Sequence, residues 1–387
     1  MTVGPAAGGD GPSSGGPSSG GPSSGGPFSG GPSGDVTRLT APQPVAENEA
    51  ASAVEACFGL RGELTRLPGE ADDNFLLTAA DGARYVVKFA HQLADPRFVD
   101  LQVRALRHVE AEDPGLPVPR VIPTCGGQLR AVVAKGPLRG RLVHVLSYLD
   151  GQLLRSVPTS AALRRTLGVT LARLGRALRG FDDPLVRRPL LWDLAQLPQL
   201  RPLLAERPPG PGTHLLDEQL TRLTTEVSPR LARQRVQVVH NDFSPDNVLV
   251  SAGPRAGADA SAVAGIIDFG DVIVTALVND VAIAATQQLA GPEQLAADGD
   301  LAGPALDLIA AYHATTPLTA DELGLLPDLI LGRMVARIII SEWRAARFPE
   351  NRGYVLRNTP GAWDHLHRLL TIGAGEFAAR IQEATRA

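Results

Sequence analysis

Two short segments, "VVHNDFSPDNVLV" and "AGIIDFGDV", restrict the local fold more than any other part of the chain. Val236 to Val239 is a β-branched run that reads as a short buried strand. It stops at His240, and the residues that follow are polar and carry a Pro, which is loop chemistry. Asn247 then opens a second apolar run, Val248 to Val250. After a Gly/Ala/Ser-rich stretch from Ser251 to Ala262, a third run, Val263 to Ile267, ends on Asp268. Two short strands around such a connector read as a hairpin. In an antiparallel hairpin the first residue of one strand lies beside the last residue of the other. Asn247 and Asp268 should therefore meet at its open end, with Asp242 on the loop that enters it.

That placement has chemical content. A carboxylate able to accept a hydroxyl proton, next to Asn and Asp oxygens able to bind Mg²⁺, is the minimum equipment for moving a phosphoryl group. Asp242 is the candidate base, and Asn247 and Asp268 are the candidate metal ligands.

The pattern His-x-Asp-x-x-x-x-Asn followed by Ile-Asp-Phe-x-Asp resembles the aminoglycoside phosphotransferase and choline kinase superfamily, relatives of protein kinases. Within it, the chain is similar to hydroxylysine kinase-type phosphotransferases. The closer resemblance rests on "NFLLTAADGARYVVKFA", "DPGLPVPRVIPTCGGQ", "VHVLSYLDGQLL", "RALRGFDDPLVRRPLLWDL", "IIDFGDVIVTALVNDVAIA" and "WRAARFPENRGYVLRNTPGAW". It spans roughly residues 50 to 385. It implies an α+β, two-lobed, protein-kinase-like fold with a small antiparallel-sheet N-lobe and a larger, mainly helical C-lobe. The expected divisions are a tail over 1–48, a nucleotide-binding lobe over 49–147, and a catalytic and substrate-binding lobe over 148–387.

The tail differs in composition from the rest. From Gly11 to Gly34 the unit "GPSSG" repeats with little variation. Gly and Ser maximise chain entropy and Pro blocks regular hydrogen bonding, so this stretch reads as disordered. Its five-residue period is not the three-residue period of collagen. The remaining chain is long enough for two lobes, and 44% hydrophobic residues is ordinary for a globular protein. A net charge of −4 argues against a nucleic-acid partner. Two cysteines, Cys57 and Cys125, are too few for a disulfide framework. No apolar run approaches the roughly 18–20 residues needed to span a bilayer. With no signal-peptide pattern at the N-terminus, a cytoplasmic location without membrane partners is expected.

In the small lobe, a helix over Glu47 to Phe58 is followed by strands at Glu63 to Leu67, Phe75 to Thr78 and Tyr85 to Ala90, with Asp81-Gly82 as the hairpin signal. The resemblance gives Lys88, in "YVVKFA", the role of phosphate-binding lysine. Amides of a polar turn ending at Asp73 and Asn74 could cradle phosphate in place of a Gly-rich loop. Gln102 stands where relatives often place the Glu that pairs with this lysine, and Asp100 could substitute only on a rotated helix. "HVLSYLDG" resembles the hinge between lobes, where backbone groups near Ser147 and Leu149 would read the purine of ATP or GTP. Helices are expected at Ala161 to Leu178, Asp217 to Glu226, Asp280 to Leu289, Gly303 to His313, Ala320 to Arg347 and Trp363 to Ile381.

The remaining residues take supporting roles by the same resemblance. His240 should hold the loop. Asp271 either touches metal-bound water or anchors its turn, and Asp280 reads as a helix N-cap. Asn241 replaces the Gly common in the superfamily. Asp193, beside Trp192, is the candidate for the acceptor's ammonium group, and the region Glu342 to Arg347 is a second candidate surface. The co-substrates are ATP or GTP with Mg²⁺, and the acceptor is a small hydroxyl-bearing amine or amino acid, 5-hydroxylysine first. Homoserine, choline or ethanolamine, and an aminoglycoside or macrolide are alternatives. A non-catalytic binding protein is a further reading, opposed by the intact set Lys88, Asp242, Asn247 and Asp268. The chain has no "APE" segment, and Ser244 stands where Ser/Thr protein kinases place Lys.

Overall fold

A computed structural model describes residues 43–69, 72–251, 262–349 and 352–386. The tail expected over 1–48 lies outside the described residues up to residue 42, as does the connector at 252–261. The last tail residues already belong to the fold. Val45 is fully buried and its carbonyl accepts from the Arg66 guanidinium, while Arg141 bonds the Gln43 carbonyl at 3.1 Å. The folded part therefore begins before residue 49.

Helix α1 (Glu47–Phe58) buries Ala50, Ala53, Val54 and Phe58, which recur at helical spacing. Gly59, at φ 68°, closes it by donating its N–H to Glu55 O. Strands β1 (Gly62–Leu67), β2 (Asp73–Ala79) and β3 (Arg84–Phe89) form the expected meander. Helix α2 (Pro96–Glu112) follows, capped by the Asp95 side chain on Arg97 N and opened by a proline at its first position. β4 (Val121–Ile122), β5 (Ala131–Val132) and β6 (Leu142–Ser147) complete the antiparallel sheet, in the order β1-β2-β3-β6-β4 with β5 also on β6. Along β2 the buried residues alternate, and Phe75 meets Phe89 edge-on at 6.1 Å. These rings pack with Val54, Val87, Val143 and Val145, so the helix and sheet share one core.

Asp73 and Asn74 open β2 instead of ending a turn. The cause is charge pairing: Asp73 is buried between Arg66 at 2.5 Å and Arg141 at 3.3 Å. A carboxylate held there lengthens the strand by two residues over the expected start at Phe75.

The larger lobe is mainly helical. It begins with β7 (Gln152–Leu153) and α3 (Ala161–Ala177), then α4 (Thr213–Arg222). Next come β8 (Val236–Val239), β9 (Val248–Val250), β10 (Val263–Ile266) and β11 (Ile273–Ala276). The helices α5 (Leu277–Thr286), α6 (Gly303–Thr315), α7 (Ala320–Arg347), α8 (Thr359–Ile372) and α9 (Ala374–Arg386) finish it. A Cβ on Gly168 would stand 2.3 Å from Leu308 O, so α3 and α6 touch through their backbones. α7 runs unbroken through Pro327, started by a capping box in which Thr319 and Glu322 bond reciprocally. The helix expected over Trp363 to Ile381 is two helices, because Gly373 at φ 78° breaks it. Among the described residues no helix is long and apolar enough to cross a membrane.

One buried group ties the small lobe's stability to pH. His144, opposite Lys88 across β3 and β6, is 2% exposed. Burial first, then the charges of Lys88 and Arg130, push its pKa down from 6.5 to about 3. The folded state keeps the imidazole neutral, so unfolding below pH 6.5 takes up a proton. This contribution is complete above that pH and is lost as pH falls toward the folded value. Between pH 7 and pH 5 the wild type should lose roughly 2 kcal/mol more stability than His144→Leu. Denaturant melts of both proteins at the two pH values check this; equal losses would mean the imidazole is not held neutral.

Candidate active site

The site is built where β8 hands the chain to β9. β8 pairs antiparallel with β11, Val239 against Ile273, and β9 pairs with β10, Val248 against Ile266. The Ile267 amide bonds Asn247 O at 2.9 Å, so Asn247 sits one residue from Asp268, as the hairpin reading requires.

The loop between these strands is held from below by one acid. Asp280 lies inside α5, 3% exposed, and accepts the Asn241 amide at 2.8 Å and the His240 amide at 3.4 Å. Burial raises its carboxyl pKa; His240 and the two amides oppose the rise. It is not the N-cap of the helix, which begins three residues earlier at Leu277 after Ala276. Asn241 is left-handed at φ 64°, a conformation Asn adopts more readily than most residues. That is the conformation a Gly would supply at the same place.

His240 is fully buried, its Nδ1 accepting the Asp242 amide at 3.3 Å and its ring edge-on to Phe269 at 5.0 Å. It supports the loop from inside. Asp242 is half-buried, and its Oδ2 accepts from Asn247 Nδ2 at 2.6 Å. The same amide nitrogen bonds Asp242 O at 3.1 Å. With its nitrogen committed twice, Asn247 has only its amide oxygen left for a cation.

Asp268 is exposed and left-handed at φ 63°, and its Oδ1 accepts the Gly270 amide at 3.1 Å. It starts a tight turn over Phe269–Asp271. Arg188 clamps that turn by donating to Gly270 O at 2.6 Å and Val272 O at 2.8 Å. Burial lowers the Arg188 pKa, while Asp271 and Asp183 pull it back up. Asp271 thus faces a clamp residue, which favours the anchoring alternative.

The ion pair of Lys88 is with Asp72, an acid that the expectations did not name. Lys88 Nζ is 3.8 Å from Asp72 Oδ2, and Asp72 Oδ1 also accepts the His91 amide at 3.1 Å. Asp100 is spent on Arg130, bonded twice at 2.7 and 2.9 Å. Gln102 approaches the turn after Asp268: its Nε2 is 3.8 Å from where a Gly270 Cβ would be. Asn74 lies beside Lys88 in register, its side chain turned to Pro68 O at 3.3 Å. In the segment expected to form the hinge, Ser147 donates its amide to Arg120 O and Tyr148 donates to Arg84 O. Leu149 carries the chain over the hairpin, its Cδ1 2.9 Å from the Cβ position of Gly265.

Asp193 is not an open acidic group. It is 6% exposed and its Oδ1 accepts from Ala195 N, Thr275 Oγ1 and Asn279 Nδ2 at 3.1, 2.8 and 3.1 Å. Burial raises its pKa, and these donors partly offset that. The Glu342 to Arg347 surface is likewise engaged at its start, since Glu342 holds Arg207 and the Trp363 indole.

Four residues near the site escaped the sequence reading: Asp72, Arg188, Arg333 and Arg337. The two last sit in α7 inside the apolar run "LLPDLILGRMVARIIIS". A cation in such a run is the signal that could have found them.

The chain is similar to known proteins over most of its length. Residues 63–323 match the model of the phosphotransferase enzyme family, APH. Hydroxylysine kinase of Mus musculus is 25% identical over 358 residues, covering 87% of this chain and 92% of that protein. Homoserine kinase of Methylobacillus glycogenes is 27% identical over 316 residues, covering 79% and 88%. Among solved structures, a microcompartment-associated aminopropanol kinase superposes with TM-score 0.61 at 18% identity, over 83% of this chain and 97% of that one. An amicoumacin kinase bound to AMP-PNP and Ca²⁺ gives 0.59 at 15% identity, over 87% and 94%.

Asp280 offers a direct test of the loop's support. Asp280→Ala leaves two buried amides without an acceptor and should cost about 1–3 kcal/mol of stability. Turnover should fall with it, because Asp242 is the next residue along. Thermal melts and steady-state rates measure both; an Ala variant with unchanged melting and turnover would show that the loop holds itself.

Proposed function

We propose, from the premise that this chain belongs to the phosphotransferase enzyme family and transfers phosphate to an alcohol group, that its acceptor is a small hydroxy amino acid, 5-hydroxylysine first and homoserine second. The observation that carries the reading is the Asp242–Asn247 bond at 2.6 Å beside the Asp268 turn. It puts a candidate base and two candidate cation ligands on one hairpin. The curated relatives named hydroxylysine kinase and homoserine kinase support the amino-acid class.

In this reading Asp242 orients the acceptor hydroxyl and takes its proton as the oxygen attacks the γ-phosphorus. The bond from that phosphorus to the nucleoside diphosphate breaks in line. Lys88, steadied by Asp72, contacts the nucleotide phosphates as a point charge. Leu149 and its neighbours in the hinge meet the purine of ATP or GTP, and residues 49–147 and 148–387 act as the two walls of the cleft.

The donor set fits Mg²⁺. Among the described residues no cluster of three or more His, Cys, Asp or Glu side chains could hold a metal alone. Mg²⁺ does not need one: it keeps several waters and is held by one or two protein oxygens plus substrate phosphates. Asn247 through its amide oxygen and Asp268 through its carboxylate would hold it. When bound, it would offset the charge on the transferring phosphoryl group.

The test is a turnover assay with Mg²⁺, supplying ATP and GTP separately against 5-hydroxylysine, homoserine, ethanolamine, choline and an aminoglycoside. Nucleotide loss should depend on a hydroxy amino acid. Asp242→Asn should lower kcat by about 10²–10⁴-fold. Asp268→Asn should raise the Mg²⁺ concentration needed for half-maximal rate. Full activity in Asp242→Asn would remove the base assignment, and preference for ethanolamine, choline or an aminoglycoside would remove the acceptor class.

A further inference from the structure

The chain has two cysteines, Cys57 and Cys125, far apart in sequence, and the small lobe brings them together. Cys57 lies in the last turn of α1, where helix carbonyls lack intrahelical partners. Its carbonyl is taken by the Cys125 amide at 2.9 Å. A straight path through the bonded atoms would separate the two Cα atoms by about 7 Å, and any bend shortens it. Disulfides span Cα distances of about 4.4–6.8 Å.

The two side chains also share a space. Cys57 and Cys125 line one opening of about 460 Å³, together with Thr124, Gln128, Arg130 and Val132. The Cys125 sulfur lies 3.3 Å from where a Cβ on Gly59 would stand, two residues past Cys57. Burial first, and then the neighbouring Cys125, push the Cys57 thiol pKa up. Cys125 is exposed, on a turn closed by the Thr124 amide on Gln128 O at 2.8 Å. The Thr124 hydroxyl donates to Gln128 Oε1 at 2.8 Å and fixes the same turn. An exposed thiol beside a half-buried one is the arrangement of an attacked cysteine and a resolving cysteine.

We propose that Cys57 and Cys125 are a redox modification site, joined as a reversible disulfide when the protein meets a hydroperoxide. The Cys125 thiolate attacks one oxygen of hydrogen peroxide, the O–O bond breaks, and hydroxide leaves. Cys125 is then a sulfenic acid. The Cys57 thiolate attacks the Cys125 sulfur, the S–O bond breaks, and a second hydroxide leaves. The two thiol protons convert both hydroxides to water. The sulfurs lose two electrons and the peroxide oxygens gain them. A dithiol reverses the bridge by exchange.

The bridge ties the end of α1 to the segment between β4 and β5. That segment leads to Arg130, which grips Asp100 of α2 at 2.7 and 2.9 Å. Oxidation therefore braces the small lobe, through groups that take no part in the proposed phosphate transfer.

The experiment treats reduced, full-length protein with hydrogen peroxide, alkylates the remaining thiols, and reads intact mass and non-reducing peptide maps. The wild type should lose two hydrogens, resist alkylation at both cysteines and yield one linked Cys57–Cys125 peptide pair. Its melting temperature should rise by about 3–8 °C, and dithiothreitol should reverse every change. Cys57→Ser has no resolving thiol, so its Cys125 should hold a sulfenic acid that dimedone traps. The wild-type maps decide alone if that variant folds poorly. Cross-linked dimers in place of the internal bridge overturn the proposal. So does Cys125 oxidised to sulfinic acid with Cys57 still free, or a bridge that forms only in denaturant. An oxidised protein that melts no higher than the reduced one overturns the brace.

Discussion

The arrangement of the site depends on a buried carboxylate accepting two consecutive backbone amides. Asp280 sits in α5, away from water, and takes the His240 and Asn241 N–H groups. A solitary acid in that position would favour its neutral form, and burial does raise its pKa. The two amides and the neighbouring imidazole offset that tendency. The return is conformational: Asn241 stays left-handed just after β8, and the next residue, Asp242, has Asn247 bonded to its carboxylate. The helix thus positions the loop by the same bonds that keep its own acid tolerable.

A second set of charges relates the two lobes. Arg173 of α3 grips Asp113, at the end of α2, with bonds of 3.0 and 2.8 Å, and Arg104 of α2 meets Asp183 of the larger lobe. The Ile266 amide of β10 bonds Pro117 O at 2.8 Å. Such partly exposed ion pairs add little stability. Their geometry matters more, because α2 also carries Gln102 to the Gly270 turn. The turn that bears Asp268 is therefore approached by α2 from one lobe and by Arg188 from the other.

Much of this was legible in the chain itself. The hairpin, the pairing of Asn247 near Asp268 and the meander carrying Lys88 followed from β-branched runs and turn residues, which act over short distances. The helix at Glu47–Phe58 followed from apolar spacing and a closing glycine. What escaped depended on partners far apart in sequence. Asp280 looked like a cap because an acid near a helix start usually is one; its amide partners lie 39 and 40 residues earlier. Asp72 was hidden in the run "EADDN", where nothing local says which acid faces the lysine. Asp193 read as available because burial by Thr275 and Asn279 has no local trace. Arg333 and Arg337 were passed over as part of an ordinary helix, although their apolar neighbours on every side marked them as internal.

Gly151 and Gly265 allow the strand after the hinge and the hairpin strand β10 to lie against β9 almost without side chains between them. A Cβ on Gly151 would come within 2.9 Å of Val250 O, and one on Gly265 within 2.8 Å of Leu249 Cδ1. β7 then pairs with β9, Gln152 against Val250, and the same strand runs back to Asn247. With a rise of about 3.3 Å per residue, that is a gauge of roughly 10 Å between the segment after Leu149 and Asn247, the candidate cation ligand. A nucleotide held as proposed would be measured against it, purine at one end and phosphates at the other. The distance is set by main chain, so it does not vary with the rotamers of the residues that read either end.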